Sequence, residues 1–211
     1  MKKILAYFVM CLFSITLFAQ LQPDSSTLKI TAPEIFKAKF STTKGAFTIE
    51  AYRSWSPEGA DRLYQLIKTG FYNNNSIFRV QSNYVVQFGI SDTKVVNEFW
   101  DNRPIADEPV RESNLKGYIS YARDGVTSRT VQLFINKKDN FKLDTINYNG
   151  LRGFPPVAKI IEGFEVVESF YGEYGFEPAN HQDSIMLYGN DYVKKHFPGV
   201  DYILSAEIIE K

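Results

Sequence analysis

The sequence predicts a mainly β fold, a closed or nearly closed antiparallel barrel. Short runs typical of strands recur between residues 36 and 209; the first two alternate apolar and polar residues, and the others are mostly apolar. Turn residues separate several of these runs. Helical spacing of apolar residues is clear in only two segments. Many strands combined with two helices favour a barrel.

The first predicted elements are a hairpin and a helix. Phe36–Phe40 and Ala46–Tyr52 alternate apolar and polar residues, and a turn that contains glycine joins them. Ser56 then suits the N-cap of a helix, and Pro57 suits its first position. Gly70 is placed to end this helix, because glycine readily adopts the left-handed conformation found there.

The remaining strands are predicted from short apolar runs. They are Ser76–Val80, Tyr84–Phe88, Gly117–Ala122, Val131–Asn136, Val157–Ile161 and Tyr202–Ile209. A second helix is predicted over Phe164–Phe170, where Val166 and Val167 share its inner face with Phe170. The stretch Ser91–Ser113 is polar and contains two prolines, so it is predicted to be rich in loops.

The N-terminus has the pattern of a secretory signal peptide. Lys2 and Lys3 precede the apolar run Ile4–Phe18, and Ala19 offers a small residue for cleavage. We therefore expect residues 1–19 to be a signal peptide and the protein to be exported, to the periplasm or outside the cell. An uncleaved membrane anchor is the alternative, although the run is short for a bilayer span.

The rest of the chain is predicted to be an N-terminal arm or linker, residues 20–35, and a single domain, residues 36–211. The only cysteine, Cys11, lies within the leader and lacks the preceding small residues of a lipidation site. Removal of the leader would leave a protein that has no cysteine, no disulfide and no membrane span.

Charge and histidine content argue against two classes of function. Lysine plus arginine total 24, as do aspartate plus glutamate, and no basic patch indicates nucleic-acid binding. The two histidines, His181 and His196, lie far apart in sequence with no cysteine nearby, so no metal site is predicted.

The segment Ile77–Gly89 carries two unusual polar residues. Arg79 lies on a run that otherwise resembles a buried strand, and Gln87 is flanked by apolar side chains. A guanidinium is seldom buried without a partner, and an amide inside an apolar strand must find a hydrogen bond. Taken alone, Arg79 fits an ordinary ion pair better than a functional site.

A set of motifs changes that interpretation. In order and spacing they resemble the cyclophilin-type peptidyl-prolyl isomerases, from about Phe36 to the C-terminus, and they are closest to a bacterial-looking exported branch. The motifs are Phe78-Arg79-Val80, Gln87-x-Gly89, Gln132-Leu133-Phe134-Ile135-Asn136, Leu143-Asp144 and Gly153-Phe154-Pro155-Pro156. The resemblance implies a closed eight-stranded antiparallel β-barrel capped by two α-helices.

The resemblance also implies site residues. Arg79 matches the arginine that donates toward the prolyl amide, and Gln87 matches the glutamine that hydrogen-bonds near it, so these two are the predicted catalytic residues. The predicted substrate-binding residues are Tyr84, Val85, Ala122, Arg123, Gln132, Phe134 and Leu143. By their pattern alone, the apolar members of this set would be ordinary core residues.

The chemistry of such a site requires no metal and no cofactor. Rotation about an X-Pro bond breaks amide resonance, with a barrier of roughly 18–20 kcal/mol. In the twisted amide the prolyl nitrogen gains a lone pair. A fixed donor placed at that nitrogen stabilises the transition state more than the planar ground state, and only this difference accelerates rotation.

The rim of the predicted pocket departs from the family pattern. Phe141-Lys142 stands where many members have a tryptophan, Phe154 is the nearest match to a pocket histidine, and the loop over residues 145–152 is longer than usual. Two functions therefore stay open. The first is a monomeric isomerase that assists the folding of exported proteins by acting on proline-containing segments of unfolded or flexible chains. The second is a peptide-binding chaperone module with little or no catalysis.

Overall fold

A computed structural model of the protein describes residues 24–209. The predicted signal peptide, residues 1–19, lies outside the described residues. The strands are β1 Ile35–Thr42, β2 Gly45–Tyr52, β3 Asn75–Ser76, β4 Arg79–Val80, β5 Val85–Phe88, β6 Tyr118–Tyr121, β7 Leu133–Asn136, β8 Asn147–Tyr148, β9 Leu151–Arg152, β10 Pro156–Glu162 and β11 Tyr202–Ile209. The helices are α1 Pro57–Lys68, α2 Lys94–Asp101, α3 Lys142–Thr145, α4 Phe164–Glu168 and α5 Gln182–His196, with 3-10 helices at Thr27–Lys29 and Glu177–His181.

The fold is mainly β, as predicted. Nine of the strands form one sheet in the order β3-β11-β1-β2-β10-β6-β7-β5-β4, and β8 pairs with β9 in a separate hairpin. The pairings are antiparallel. The sheet curls around a core to which β1, β2, β5, β6, β7 and helix α1 all contribute.

The predicted strand Ser76–Val80 is divided, which corrects the expected count of eight strands. Its first part, β3, pairs with β11, and its second part, β4, pairs with β5. Between them Ile77 joins the main core. Phe78 is buried in a second cluster, which it forms with residues of the stretch 171–201, called the C-terminal segment below. The two end strands of the sheet are thus joined by the chain and not by a ladder of hydrogen bonds.

The main core is rich in aromatic residues. Phe40 and Phe47 face each other on β1 and β2 and stack with 5.0 Å between their ring centroids. Tyr72 and Phe88 extend this cluster, with 5.5 Å between their centroids. Phe40, Phe47 and Val80 are buried in this core, and Ile208 packs against it from a partly buried position.

The helices differ more from the prediction than the strands do. Five α-helices lie within residues 24–209, where two were expected. Helix α2 lies inside Ser91–Ser113, the stretch predicted to be rich in loops. Burial of Val96 and Trp100 on one face stabilises this helix. Helix α5 was not predicted at all. None of the helices in this part of the chain is both long and apolar enough to span a bilayer.

Helix α5 is kinked at Gly189, which has a φ of 61° and a ψ of −149°. A Cβ at this position would lie 2.6 Å from the backbone oxygen of Asp92. The Asp92 carboxylate accepts a hydrogen bond of 2.6 Å from the backbone N–H of Asn190, whose side chain donates to the Asn74 carbonyl at 2.7 Å. The kink therefore ties α5 to the loops that precede β3 and follow β5.

The described part of the predicted N-terminal arm packs against α1. The backbone N–H of Ala32 donates to Asp61 at 2.9 Å, and the Gln65 amide donates to the Ile30 carbonyl at 2.8 Å. These bonds hold the arm against the helix before β1 begins at Ile35.

Candidate active site

A cleft of about 730 Å³ opens between the sheet and the C-terminal segment. The structure brings together in its walls every site residue that the sequence predicted. They are Arg79, Tyr84, Val85, Gln87, Ala122, Arg123, Gln132, Phe134 and Leu143. They come from β4, β5, β7, α3 and the loops beside these elements.

The floor of the cleft is an apolar slot. Val85, Phe134 and Leu143 are buried and form a cluster that is separate from the main core. Four partly buried residues pack around them: Tyr84, Ala122, Ile146 and Phe154. An apolar slot of this kind suits a saturated ring such as that of proline.

Arg79 lies at the edge of this slot, on β4 directly opposite Gln87 of β5. Its Nη1 donates to Gln87 Oε1 and its Nε donates to Gln81 Oε1, each over 2.8 Å. The rings of Phe176 and Tyr84 lie on the guanidinium, with their centroids 4.7 Å and 5.6 Å from its Cζ. Two amides and two rings therefore fix its position.

The hydrogen-bond partners and rings described at Arg79 are all neutral. Within residues 24–209, no carboxylate forms an ion pair with it. Burial lowers the pKa of the guanidinium, and the hydroxyls of Tyr84 and Tyr148 act in the opposite direction. Because an arginine in a protein stays protonated, the cleft holds a positive charge that only neutral groups contact.

Gln87 is the start of a row of amides. Its Nε2 donates to Gln132 Oε1 at 2.8 Å, and Gln132 Nε2 donates to Gln182 Oε1 at the same distance. Gln182 is the first residue of α5 and was not among the predicted site residues. The row crosses the cleft from the sheet to the C-terminal segment.

Arg123 lines the cleft, but its guanidinium serves the chain itself. It is buried and donates to the carbonyls of Tyr148, Leu151 and Gly153 at 2.9, 2.9 and 2.7 Å. The ring of Phe154 lies 4.4 Å from its Cζ. Arg123 therefore holds the β8–β9 hairpin in place as a rim of the cleft.

The comparison of the sequence with known families decides the identity. The sequence model of the family described as "Cyclophilin type peptidyl-prolyl cis-trans isomerase/CLD" matches residues 37–185. The chain belongs to this family. It is a cyclophilin, and its enzyme class is that of the peptidyl-prolyl cis-trans isomerases.

Individual proteins agree with this assignment. A peptidyl-prolyl cis-trans isomerase of Acinetobacter baylyi is 30% identical over 132 residues, which cover 62% of this chain and 69% of that protein. The peptidyl-prolyl cis-trans isomerase cypE of Dictyostelium discoideum is 29% identical over 98 residues, or 44% of this chain and 62% of that protein. The relative from Acinetobacter baylyi agrees with the bacterial character of the predicted branch.

Solved structures share the fold at low identity. The crystal structure of a cyclophilin-type isomerase from Cryptosporidium parvum has a TM-score of 0.56 at 17% identity and covers 84% of this chain and 99% of its own. A cyclophilin from Hirschia baltica also has a TM-score of 0.56, at 14% identity, and covers 88% of this chain and 80% of its own.

The rim of this cyclophilin is aromatic at Phe154, one of the two positions that the motif comparison singled out, but not at Phe141, the other. Phe141 is 58% exposed and does not line the cleft. Phe154 supplies an aromatic ring instead, 5.8 Å from the ring of Phe134, and Tyr148 lies 6.0 Å beyond Phe154. The long loop over residues 145–152 therefore brings its own aromatic residue to the rim.

The sequence interpretation missed the wall formed by the C-terminal segment. Phe176, Gln182 and Met186 line the cleft there. Phe176 lies in the turn before the 3-10 helix Glu177–His181, and Gln182 and Met186 lie in α5. No motif or clear periodicity marked a site in these elements. Among residues 24–209, no group of three or more His, Cys, Asp or Glu side chains is arranged to hold a metal ion.

Proposed function

We propose that this cyclophilin isomerises X-Pro bonds in unfolded or flexible segments of exported proteins, in the periplasm or outside the cell. It would act as a monomer and without a cofactor. One observation carries the catalytic part of the proposal: Arg79, a charged donor that forms no ion pair with a carboxylate of residues 24–209, lies at the edge of an apolar slot. Export rests on Lys2-Lys3 and the apolar run Ile4–Phe18.

The slot would bind the proline ring. Val85, Phe134 and Leu143 offer contact on a buried apolar surface, which favours a ring over a polar side chain. A proline held there would have its amide nitrogen near the mouth of the slot, where the Arg79 guanidinium lies.

Arg79 would then stabilise the twisted amide. A planar prolyl amide has little electron density to offer at nitrogen, whereas the twisted amide has a lone pair that accepts a hydrogen bond. Gln81 and Gln87 already hold the guanidinium over 2.8 Å bonds, so little reorganisation is needed during the reaction. Both partners are neutral amides and leave its positive charge available to the transition state.

A second candidate is a module that holds proline-containing peptides with little catalysis. The rim favours it, because Tyr148 and Phe176 expose 39% and 44% of their surfaces beside the cleft. Exposed aromatic rings next to a groove are typical of surfaces that bind extended peptides.

An isomerisation assay on a short Ala-Pro peptide separates the two candidates. The chain from Gln20 onward should accelerate cis–trans exchange, measured by NMR exchange spectroscopy. Arg79→Lys should recover little of this activity, because an ammonium cannot reproduce the planar fork of donors. Peptide binding by the wild type without acceleration would replace the enzyme proposal with the holding module.

Export is tested separately by mass spectrometry of the extracytoplasmic fraction. The mature protein should begin near Gln20. A pool of soluble protein that retains Met1 inside the cell would contradict the proposed location.

A further inference from the structure

The row of amides that begins at Gln87 ends on the main chain of the C-terminal segment. Gln182 accepts from Gln132 through Oε1 and donates through Nε2 to the Ala179 carbonyl at 3.1 Å. Arg79 stands at the other end and donates to Gln87. Five residues from three parts of the chain thus form one continuous line of hydrogen bonds.

The two ends of the row fix its direction. A guanidinium can only donate, and a carbonyl oxygen can only accept. Each glutamine between them must therefore turn its oxygen toward Arg79 and its NH₂ group toward Ala179. An amide that turned over would set two NH₂ groups, or two oxygens, against each other, and at least one polar group of the row, which is buried at Gln87 and half-buried at Gln132 and Gln182, would lose its protein partner.

We propose that Gln182 is a positioning residue of the isomerase site. It sets the orientation of the Gln132 amide and, through it, that of Gln87, so that Gln87 Oε1 faces Arg79. Gln182 can do so for two reasons. Its backbone is held at the start of α5, and its side-chain NH₂ group donates to the carbonyl of Ala179, a buried residue. The inference rests on the proposed catalytic role of Arg79.

Substitutions at position 182 test the direction of the row. Gln182→Met keeps the length of the side chain and removes both hydrogen bonds, so kcat should fall about threefold to tenfold, as expected for one neutral hydrogen bond. KM should change little, because the row acts on a group that serves the transition state. Gln182→Lys offers only donors, should turn the Gln132 amide over, and should lower kcat more than Gln182→Met does.

Leu187→Lys is the matched control. It adds the same charge to the same helix, at an exposed position that does not line the cleft. Its kcat should stay within about twofold of the wild-type value. Thermal melts of all variants exclude loss of folding as the cause of any change.

A double-mutant cycle tests whether Gln182 acts through Gln132. In a Gln132→Met background the hydrogen bonds from position 132 to Gln87 and Gln182 are already absent. Gln182→Met should therefore lower kcat no further in that background. An equal loss in both backgrounds would overturn the inference, as would a Gln182→Met enzyme with wild-type kcat.

The side-chain amide signals of Gln87 give a readout that does not depend on turnover. They should shift in the NMR spectrum of Gln182→Met, and unchanged signals would also overturn the inference. If Arg79→Ala kept full activity while these signals shifted, the catalytic role would fail and the positioning of Gln87 by Gln182 would stand.

Discussion

The two sides of the cleft are held by different means. Arg79, Gln87 and Phe134 stand on neighbouring strands, where backbone register places Arg79 opposite Gln87 and Gln87 opposite Phe134. The other side consists of the β8–β9 hairpin and the C-terminal segment, which side chains such as Arg123 and Gln182 fasten to the rest. The proposed chemistry thus lies on the side that the sheet fixes.

This difference predicts how each side responds to substitution. A side chain on a strand keeps its backbone position when it is replaced, because the ladder of hydrogen bonds remains. A rim that one guanidinium holds can change its shape when that guanidinium is lost. Substitutions on the sheet side should therefore alter kcat, and so should those at Gln182, which acts on the sheet side through Gln132. Loss of Arg123 from the hairpin rim should instead alter substrate binding and local mobility.

The largest effect is expected at Arg79. Arg79→Ala removes a preorganised donor and should lower kcat/KM by roughly 10²–10³, or about 2.7–4 kcal/mol. The isomerisation assay measures this loss, and a thermal melt checks that the fold is retained. Arg53→Ala is the control, since Arg53 is a surface arginine paired with Asp61 at 2.9 Å. Near-wild-type activity in Arg79→Ala would contradict the proposed mechanism.

A smaller effect is expected at Arg123. Arg123→Met leaves the carbonyls of Tyr148, Leu151 and Gly153 without their donor. The free energy of unfolding should fall by about 1–3 kcal/mol, and KM should rise more than kcat falls. Hydrogen exchange at residues 147–152 should become faster.

Arg152→Met is the matched control for that variant. Arg152 lies on the same hairpin but is exposed, so its loss should leave hydrogen exchange and KM unchanged. A drop in kcat as large as that of Arg79→Ala would show that Arg123 acts on the reaction itself and not through the hairpin.

The smallest effect is expected at Phe176. Phe176→Ala removes a ring that lies 4.7 Å from the Arg79 guanidinium. A partly exposed contact of this type contributes about 0.5–1 kcal/mol, so kcat/KM should fall about twofold to fivefold. Phe141→Ala removes an exposed ring outside the cleft and should leave the rate unchanged. Equal losses of kcat/KM in both variants would show that Phe176 has no specific role in the site.

The strands were predictable because each carries its own pattern. Burial of one face of a strand is enough to produce the alternation seen over Phe36–Phe40 and Ala46–Tyr52. The first segment lies within β1 and the second within β2. The division of Ser76–Val80 was not predictable in this way. Ile77 and Phe78 are both apolar, and only the tertiary structure sends them to different clusters.

The sequence analysis did not predict helices α2 and α5, and features of the two segments themselves explain why. Helix α2 is short and follows a polar stretch, so its two buried apolar side chains, Val96 and Trp100, did not form a recognisable period. Helix α5 contains Gly189 in a non-helical conformation, and its buried residues lie on both sides of that break. A pattern that changes phase at a kink does not appear as one helix in a sequence.

The site was predictable on the sheet side and not on the C-terminal side. Motifs around Arg79, Gln87 and Phe134 have fixed spacing because strands fix it. Gln182 lies far along the chain from its partner Gln132, in a segment whose position depends on the kink at Gly189 and its contact with Asp92. Such a contact leaves no trace in local sequence.

The position of β11 has a consequence for how the chain reaches its native state. Tyr202–Ile209 lies between β1 and β3, so among residues 24–209 the first strand acquires its second neighbour only from the last strand. While a ribosome still holds the part of the chain that includes β11, β1 presents an unpaired edge that other chains could extend. A nascent chain that stops short of Tyr202 should therefore associate with other chains through β1. Pairing of β11 with β1 removes the free edge and so prevents this association.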